Sequence, residues 1–334
     1  MLFRSRYIND KFWDVDVGMM SGEIKFGIHA PPEGLDFEQM KRICLLAEDA
    51  GFWVLTITDH FQNMTRPDGS TGHPLEAWTL LGGLAAVTSR IKLGTLVSCV
   101  HYRHPTILAK MATTVDIISG GRVIFGVGAG WHQKEFEGFL GEFPPAKKRL
   151  DGLEDALNIA KSMFVNERTN YAGKVYSANN TLNLPLPVQR PIPMLVGGGG
   201  LQRTLKLAAK YADISHFAFV PQERRNVILQ RIDALREHCK VIGRDYNEIT
   251  KSVGLAVNLY PTRDQLEESA EQISIWGKMP IDEAREIAEK TCTTPEGLLD
   301  TINFYAEKDV TLFTAIFRKE KDIGLFAEEV MKEI

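Results

Sequence analysis

An acid and an imidazole stand side by side at Asp59–His60, where the apolar run WVLTIT (53–58) ends. Histidine is the side chain whose ordinary pKa lies nearest neutrality, so a His beside a carboxylate is suited to holding or moving a proton. The end of a strand built for the interior is a costly place for charge unless something uses it. The competing reading is structural: a helix-capping Asp followed by a hydrogen-bonded His in a loop. Four glycines, Gly197, Gly198, Gly199 and Gly200, precede a helix predicted over 201–212, with Arg203 in its first turn. Free N–H groups, the positive end of a helix dipole and a guanidinium fork together make a seat for phosphate. A flexible turn is the alternative there. In GVGAGW (126–131), Gly128, Ala129 and Gly130 let a flat ring approach the backbone closely. The spacing is G-x-G-x-G and no helix opens directly after it, so it does not read as a dinucleotide fingerprint. His101 and His104 in HYRHP lack a third ligand at metal-site spacing, and no metal is expected. A phosphorylated cofactor or substrate with acid–base chemistry follows from these groups; which cofactor does not.

A regular alternation must position them. IKFGIHAP (24–31) is predicted as a strand and 37–51 as a helix, with apolar residues at 40, 43, 46, 47 and 50 on one face. A strand over 53–60, a polar loop (62–74) and a helix over 75–88 follow. Further strands are predicted over 91–98, 122–129, 192–199, 213–219, 249–260 and 310–317. Their helices fall over 105–119, 147–164, 201–212, 222–242, within a long stretch at 264–308, and over 323–333. Continuous rather than alternating apolar strands imply a parallel sheet covered on both faces. Eight strand–helix units then close most economically into an α/β fold of the TIM (β/α)8 barrel type. Such barrels carry their catalytic groups at the C-terminal ends of the strands, where Asp59 and His60 fall. Residues 165–191, with Gly173, Pro185, Pro187 and Pro191, break the rhythm and read as a hairpin-bearing insertion. Residues 1–22 show neither periodicity nor a targeting pattern and read as a peripheral extension, leaving 23–334 as the barrel domain.

Composition narrows the function classes. Of 334 residues, 44% are apolar and 25% charged, with 39 basic against 43 acidic side chains and a net charge of −4. No basic block points to nucleic acid or an anionic membrane surface, and no stretch approaches the roughly 18 apolar residues of a span. Cys44, Cys99, Cys239 and Cys292 are scattered without a CxxC pair, as expected of reduced thiols in a cytoplasmic protein. A small-molecule substrate is what remains.

The segments LAEDAGFWVLTITDHF, TSRIKLGTLVSCVHYRHPTILAKMATTVDIISGGRVIFGVGAGW and PMLVGGGGLQRTLKLAAKYAD, in that order, resemble the bacterial-luciferase-like flavin and deazaflavin oxidoreductases. Within them the match is best to reductases and dehydrogenases using coenzyme F420, and it covers residues 24–334. The resemblance implies a TIM barrel with an insertion, a homodimer, and an isoalloxazine-type ring held at the C-terminal mouth. His60 matches the histidine beside the reacting ring and Asp59 the neighbouring acid that contacts the cofactor. Leu96, Val97 and Ser98 match a strand end that carries a non-prolyl cis peptide behind the ring, expected here at Leu96–Val97. Residues 128–130 and 197–200 match cofactor-side segments, the latter near the phosphate. An FMN-dependent monooxygenase fed with reduced flavin is the alternative reading; a silent flavin-binding protein is a third, opposed by the retained Asp59–His60 pair. Two departures separate the chain from the sugar-phosphate dehydrogenases of the family. Trp131 stands where they place a catalytic glutamate, and Met64 where they have a tryptophan. Glu135 is the nearest replacement acid, expected either in that role or as a helix-surface charge. A chain begun at Met20 should keep its melting temperature; a fall of several degrees, equivalent to about 1 kcal/mol, would show that the extension packs.

Overall fold

The apolar runs become strands that pair in chain order. In the computed structural model, which describes residues 23–63, 72–219, 225–260, 262–277, 279–290 and 294–334, the first strands are β1 (Lys25–His29), β2 (Val54–Ile57), β3 (Lys92–Thr95), β4 (Ser98–Cys99) and β5 (Val123–Gly128). They are followed by β6 (Arg168–Ala172), β7 (Ser177–Leu182), β8 (Met194–Gly197), β9 (Ile214–Phe219), β10 (Thr250–Val257) and β11 (Val310–Phe317). The helices are α1 (Phe37–Asp49), α2 (Ala77–Val87), α3 (Pro105–Ser119), α4 (Gln133–Leu140), α5 (Ala146–Met163) and α6 (Thr204–Tyr211). After them come α7 (Arg225–Ile242), α8 (Arg263–Gly277), α9 (Ile281–Lys290), α10 (Pro295–Ala306) and α11 (Lys321–Glu329).

Parallel pairing runs β1–β2–β3–β5–β8–β9–β10–β11 and returns from β11 to β1, which closes the predicted eight-stranded barrel. β4 continues the third position against β5 after a break in which the Leu96–Val97 peptide is cis, as the resemblance implied. One apolar cluster fills the lumen with Val54, Ile124, Leu195, Ile214 and Leu312; a larger one lies between strands and helices. Helix ends follow the local code. Asp36 and Gln39 form a capping box for α1, and α3 starts on Pro105 and stops at the left-handed Gly120.

Several boundaries differ from the sequence reading, among them the strand predicted over 53–60, which ends at Ile57, and that over 91–98, which is split into β3 and β4. The 131–146 region, expected as loop, contains α4, a short helix whose buried residues are Glu135 and Phe136. The helix predicted from 201 begins at Thr204, because 201–203 form a turn after the glycines. The long stretch at 264–308 is divided into α8, α9 and α10; Ala270, Met279, Ala284, Ile287 and Ala288 make a small core of their own there. Within 165–191, β6 and β7 form an antiparallel hairpin that pairs with no barrel strand. Asp155 of α5 fastens it, accepting the backbone N–H groups of Val175 (2.6 Å) and Tyr176 (3.0 Å). The proposed extension 1–22 lies outside the described residues.

The N-terminal end of the barrel is tied by Arg122. Its buried guanidinium donates to the carbonyls of Ala85 (2.9 Å), Thr88 (2.9 Å), Ile91 (2.7 Å) and Ser119 (2.8 Å), so one side chain joins the ends of α2 and α3 to the start of β3. Hydrogen bonds to a charged group are worth about 1.5–3 kcal/mol each when one partner is removed. Arg122→Met should therefore lower the unfolding free energy by at least about 2 kcal/mol in a urea titration. An unchanged midpoint would show that these carbonyls are satisfied without it.

Candidate active site

β2 ends at Ile57, so Asp59 and His60 sit in the loop just beyond it, at the C-terminal mouth. They do not hold each other. Both carboxylate oxygens of the buried Asp59 are taken by the fork of Arg103, at 2.7 and 2.9 Å. Arg103 also pairs with Glu76, the acid that caps α2 through the N–H groups of Trp78 and Thr79. Asp59 therefore anchors the loop to the β4–α3 connection and does not hold the His60 imidazole.

Glu135 takes that place. Its Oε2 lies 2.7 Å from Nδ1 of His60 and accepts the Tyr102 hydroxyl at 2.6 Å. Its Oε1 accepts the backbone N–H groups of Phe61 (2.8 Å) and Gln62 (3.0 Å). The side chain is fully buried, so it is no helix-surface charge. Burial alone would raise its pKa. The bonds from His60, Tyr102 and the Phe61 N–H outweigh that and hold the carboxyl at about 2. The phenol of Tyr102 is pushed the other way, upwards, by burial and by this same bond, which keeps it a donor. An ionised carboxylate only accepts, so Nδ1 of His60 carries the proton toward Glu135 and Nε2 is the working nitrogen. The His60 side chain remains 17% exposed and meets the exposed Trp131 edge-on, ring centroids 5.9 Å apart.

A second acid at the mouth escaped the sequence reading. Glu33 follows β1, and Thr58 donates to both of its carboxyl oxygens, at 3.3 and 3.4 Å. Burial raises its pKa against the opposing pull of its own backbone, His60 and Thr58, so it takes a proton more readily than an exposed carboxyl. The only signal in the chain was its place after the strand end HAPP.

The three predicted ring and phosphate segments converge. The Val97 side chain, turned by the cis bond, fills the notch left by Gly128 and Gly197. A Cβ added at either would stand 2.8 or 2.7 Å from a Val97 methyl. Leu96, Ala129 and Gly130 are half-buried beside this notch, whereas the Ser98 hydroxyl is buried against Trp78 Nε1 (2.9 Å) and Thr95 Oγ1 (3.1 Å) and ties the break between β3 and β4 to α2. Gly198, at φ 132, turns the chain in a conformation that glycine adopts freely, with Gly199 and Gly200 following. Arg203 leaves this turn: its guanidinium reaches Asp151 (2.6 Å) and the Lys147 carbonyl (3.3 Å). Arg231 of α7 lies against Gly199 instead and donates to the Phe217 carbonyl. Its distance along the chain hid it from any local motif. Val97 presents an apolar surface over the notch, and the partly exposed glycine turn leaves backbone N–H groups beside it, which fits a flat ring ending in a phosphate. His101 is engaged by Tyr176 (2.7 Å) and the Arg149 carbonyl (3.0 Å), and Met64 lies outside the described residues. Among the described residues no group of three or more His, Cys, Asp or Glu is placed to hold a metal.

A closed (β/α)8 barrel with a glycine turn and a carboxylate-held histidine around one mouth defines an enzyme of the TIM-barrel type. Comparison with known proteins agrees. The luciferase-like monooxygenase model matches residues 18–308, and the chain belongs to that family. A protein of Gordonia bronchialis named F420-dependent glucose-6-phosphate dehydrogenase is 26% identical over 288 residues, covering 85% of this chain and 82% of its own. Among solved structures, an F420-dependent secondary alcohol dehydrogenase in complex with an F420–acetone adduct superposes with a TM-score of 0.77 at 20% identity, over 92% of this chain and 98% of that one. The coenzyme F420-dependent tetrahydromethanopterin reductase of Methanopyrus kandleri gives 0.76 at 22% identity, over 93% and 99%.

The pKa of Glu135 fixes a pH dependence. Its folded value, about 2, lies below the ordinary 4.5, so the stability it contributes is complete above about pH 4.5 and is lost as the pH falls towards 2. The advantage of the wild type over Glu135→Gln in urea should therefore be full at pH 7 and shrink between pH 4.5 and 2. An advantage that stays constant across that window would mean the carboxylate is not the stabilised species.

Proposed function

We propose that the protein is an F420-dependent oxidoreductase that moves a hydride between the deazaflavin and a small organic molecule at the barrel mouth. The observation that carries this is His60, held through Nδ1 by an ionised, buried Glu135 so that Nε2 is presented at the rim of a ring-shaped cradle. The names of the relatives support the choice of cofactor. When bound, the deazaflavin supplies a two-electron hydride acceptor or donor. Leu96, Val97, Gly128, Ala129 and Gly130 would hold its ring, with Ser98 bracing them, and Gly197, Gly198, Gly199 and Gly200 its phosphate. Arg231 is the nearer cation to that phosphate, and Arg203 a more distant one.

In the oxidising direction the substrate loses a hydride from carbon and a proton from its hydroxyl. Nε2 of His60 and the carboxyl of Glu33 are the groups at hand to take that proton. Glu135 keeps the imidazole upright and would stabilise it once protonated, and Asp59 acts through Arg103 to hold the loop. Trp131 stands where the sugar-phosphate dehydrogenases place their acid, so their substrate is not carried over. A homodimer, as the resemblance implies, and a cytoplasmic setting complete the proposal. The buried free thiols Cys44, Cys99 and Cys239 suit a reducing compartment, and among the described residues no helix is long and apolar enough to cross a membrane.

Titration of the purified protein with F420 and with FMN, read by the quenching of each chromophore, tests the cofactor. Binding of FMN with no binding of F420 would reverse the reading. His60→Ala should keep its affinity for F420 and lose turnover on the order of 10²-fold, read by bleaching of the deazaflavin. Turnover at the wild-type rate would make His60 scaffolding.

A further inference from the structure

Inside the lumen, beside the ring cradle, three aromatic rings form a wall that the proton chemistry does not use. Phe219 ends β9, yet its ring lies 5.4 Å from His29 on β1 as well as 5.4 Å from His216 on its own strand. β10 and β11 separate β9 from β1, so Phe219 can touch both histidines only through the barrel interior. A bulge aims it there. Ser252 pairs with His216 and Gly254 with Phe219, which leaves one extra residue on β9, and within it Ala218 sits at φ 96. Bulges of this kind re-aim a side chain, and a non-glycine residue in the left-handed region persists only where its surroundings hold it. Gly254 completes the seat: a Cβ there would overlap the Phe219 ring.

The layer beneath is polar and uncharged. Nδ1 of His29 bonds Thr56 Oγ1 at 3.0 Å, and Nδ1 of His216 bonds Ser252 Oγ at 3.0 Å. Burial pushes both imidazoles down to about 3, so neither is charged at neutral pH. Nε2 of His216, in a side chain only 4% exposed, has no hydrogen-bond partner. A buried polar atom left this way is destabilising unless a ligand or water meets it. β9 lies beside β8, whose Gly197 is in register with His216 and against the Val97 side chain, so Phe219 rises into the mouth from the strand next to the cradle. It lines the space beside a ring backed by Val97.

We propose that Phe219 is the substrate-side wall and a specificity-determining residue of this site: its ring packs on the carbon body of an uncharged alcohol or ketone, and the unpaired Nε2 of His216 is the hydrogen-bonding group of that wall. An anionic phosphate here would lose its hydration to an aromatic ring and two neutral imidazoles, with the carboxyls of Glu33 and Glu135 at the same mouth. The inference rests on the F420 reading. In the reaction it serves, the alcohol is oxidised to a ketone as its hydride reduces the deazaflavin, and its hydroxyl proton leaves to His60 or Glu33.

The test uses the full chain and begins with F420 binding to the wild type, Phe219→Ala and Phe219→Leu; the leucine variant serves if the alanine one does not fold. Both should bind F420 within about twofold of wild type, since Phe219 is not part of the cradle. Bleaching of F420 is then followed with propan-2-ol, cyclohexanol and glucose 6-phosphate. The wild type should turn over an uncharged alcohol and not the sugar phosphate. The variants should raise the KM for cyclohexanol about tenfold with kcat nearly unchanged, as expected for a lost apolar contact. Turnover of glucose 6-phosphate in preference, an unchanged KM in both variants, or no alcohol turned over by a protein that binds F420 would overturn the proposal. A wild type that fails to bind F420 would instead remove the cofactor reading, before any substrate is added.

Discussion

The mouth of this barrel depends on one buried carboxylate. Glu135 sits in a helix of eight residues and is closed off from solvent, where an unpaired charge would be prohibitive. It is tolerated because four donors from two other segments converge on it: His60, the Phe61 and Gln62 N–H groups, and Tyr102. The same bonds that keep it ionised fix the loop after β2 and the tautomer of His60. A positioned imidazole and a stable loop are thus one electrostatic fact. Asp59 repeats the device on the other side through Arg103, and the two carboxylates clamp the loop from below and beside.

The barrel separates stability from chemistry along its axis. At the N-terminal end, Arg122 gathers carbonyls of three elements and touches nothing that could react. At the C-terminal end the strands stop in glycines, a cis bond and a bulge, each of which trades regular packing for shape. Val97 and Phe219 sit at such departures, at neighbouring positions around the mouth.

Family membership sets the frame but leaves the specificity to this chain's own residues. Beside the cradle, the lumen wall is built from Phe219, His29 and His216. An aromatic face over neutral imidazoles handles a carbon body better than a dianion.

The barrel itself could be read from the chain because continuous apolar strands, amphipathic helices and glycine punctuation are local properties repeated along it. The Asp59–His60 pair and the glycine segments were equally local, and the cis bond falls at Leu96–Val97 as the resemblance implied. What the sequence could not reveal were partnerships between distant residues. Glu135 was visible only as an acid one turn past Trp131; its burial, and its hold on His60, arise because α4 folds back against the β2 loop. Arg203 looked like the phosphate cation because it neighbours the glycines, yet Asp151 on α5 captures it while Arg231 arrives from α7. Phe219 read as one more apolar strand residue until a bulge against β10 turned it into the lumen. Strand and helix follow from periodicity within a dozen residues. Which charge meets which, and which face a side chain takes, are settled only when the eight strands close.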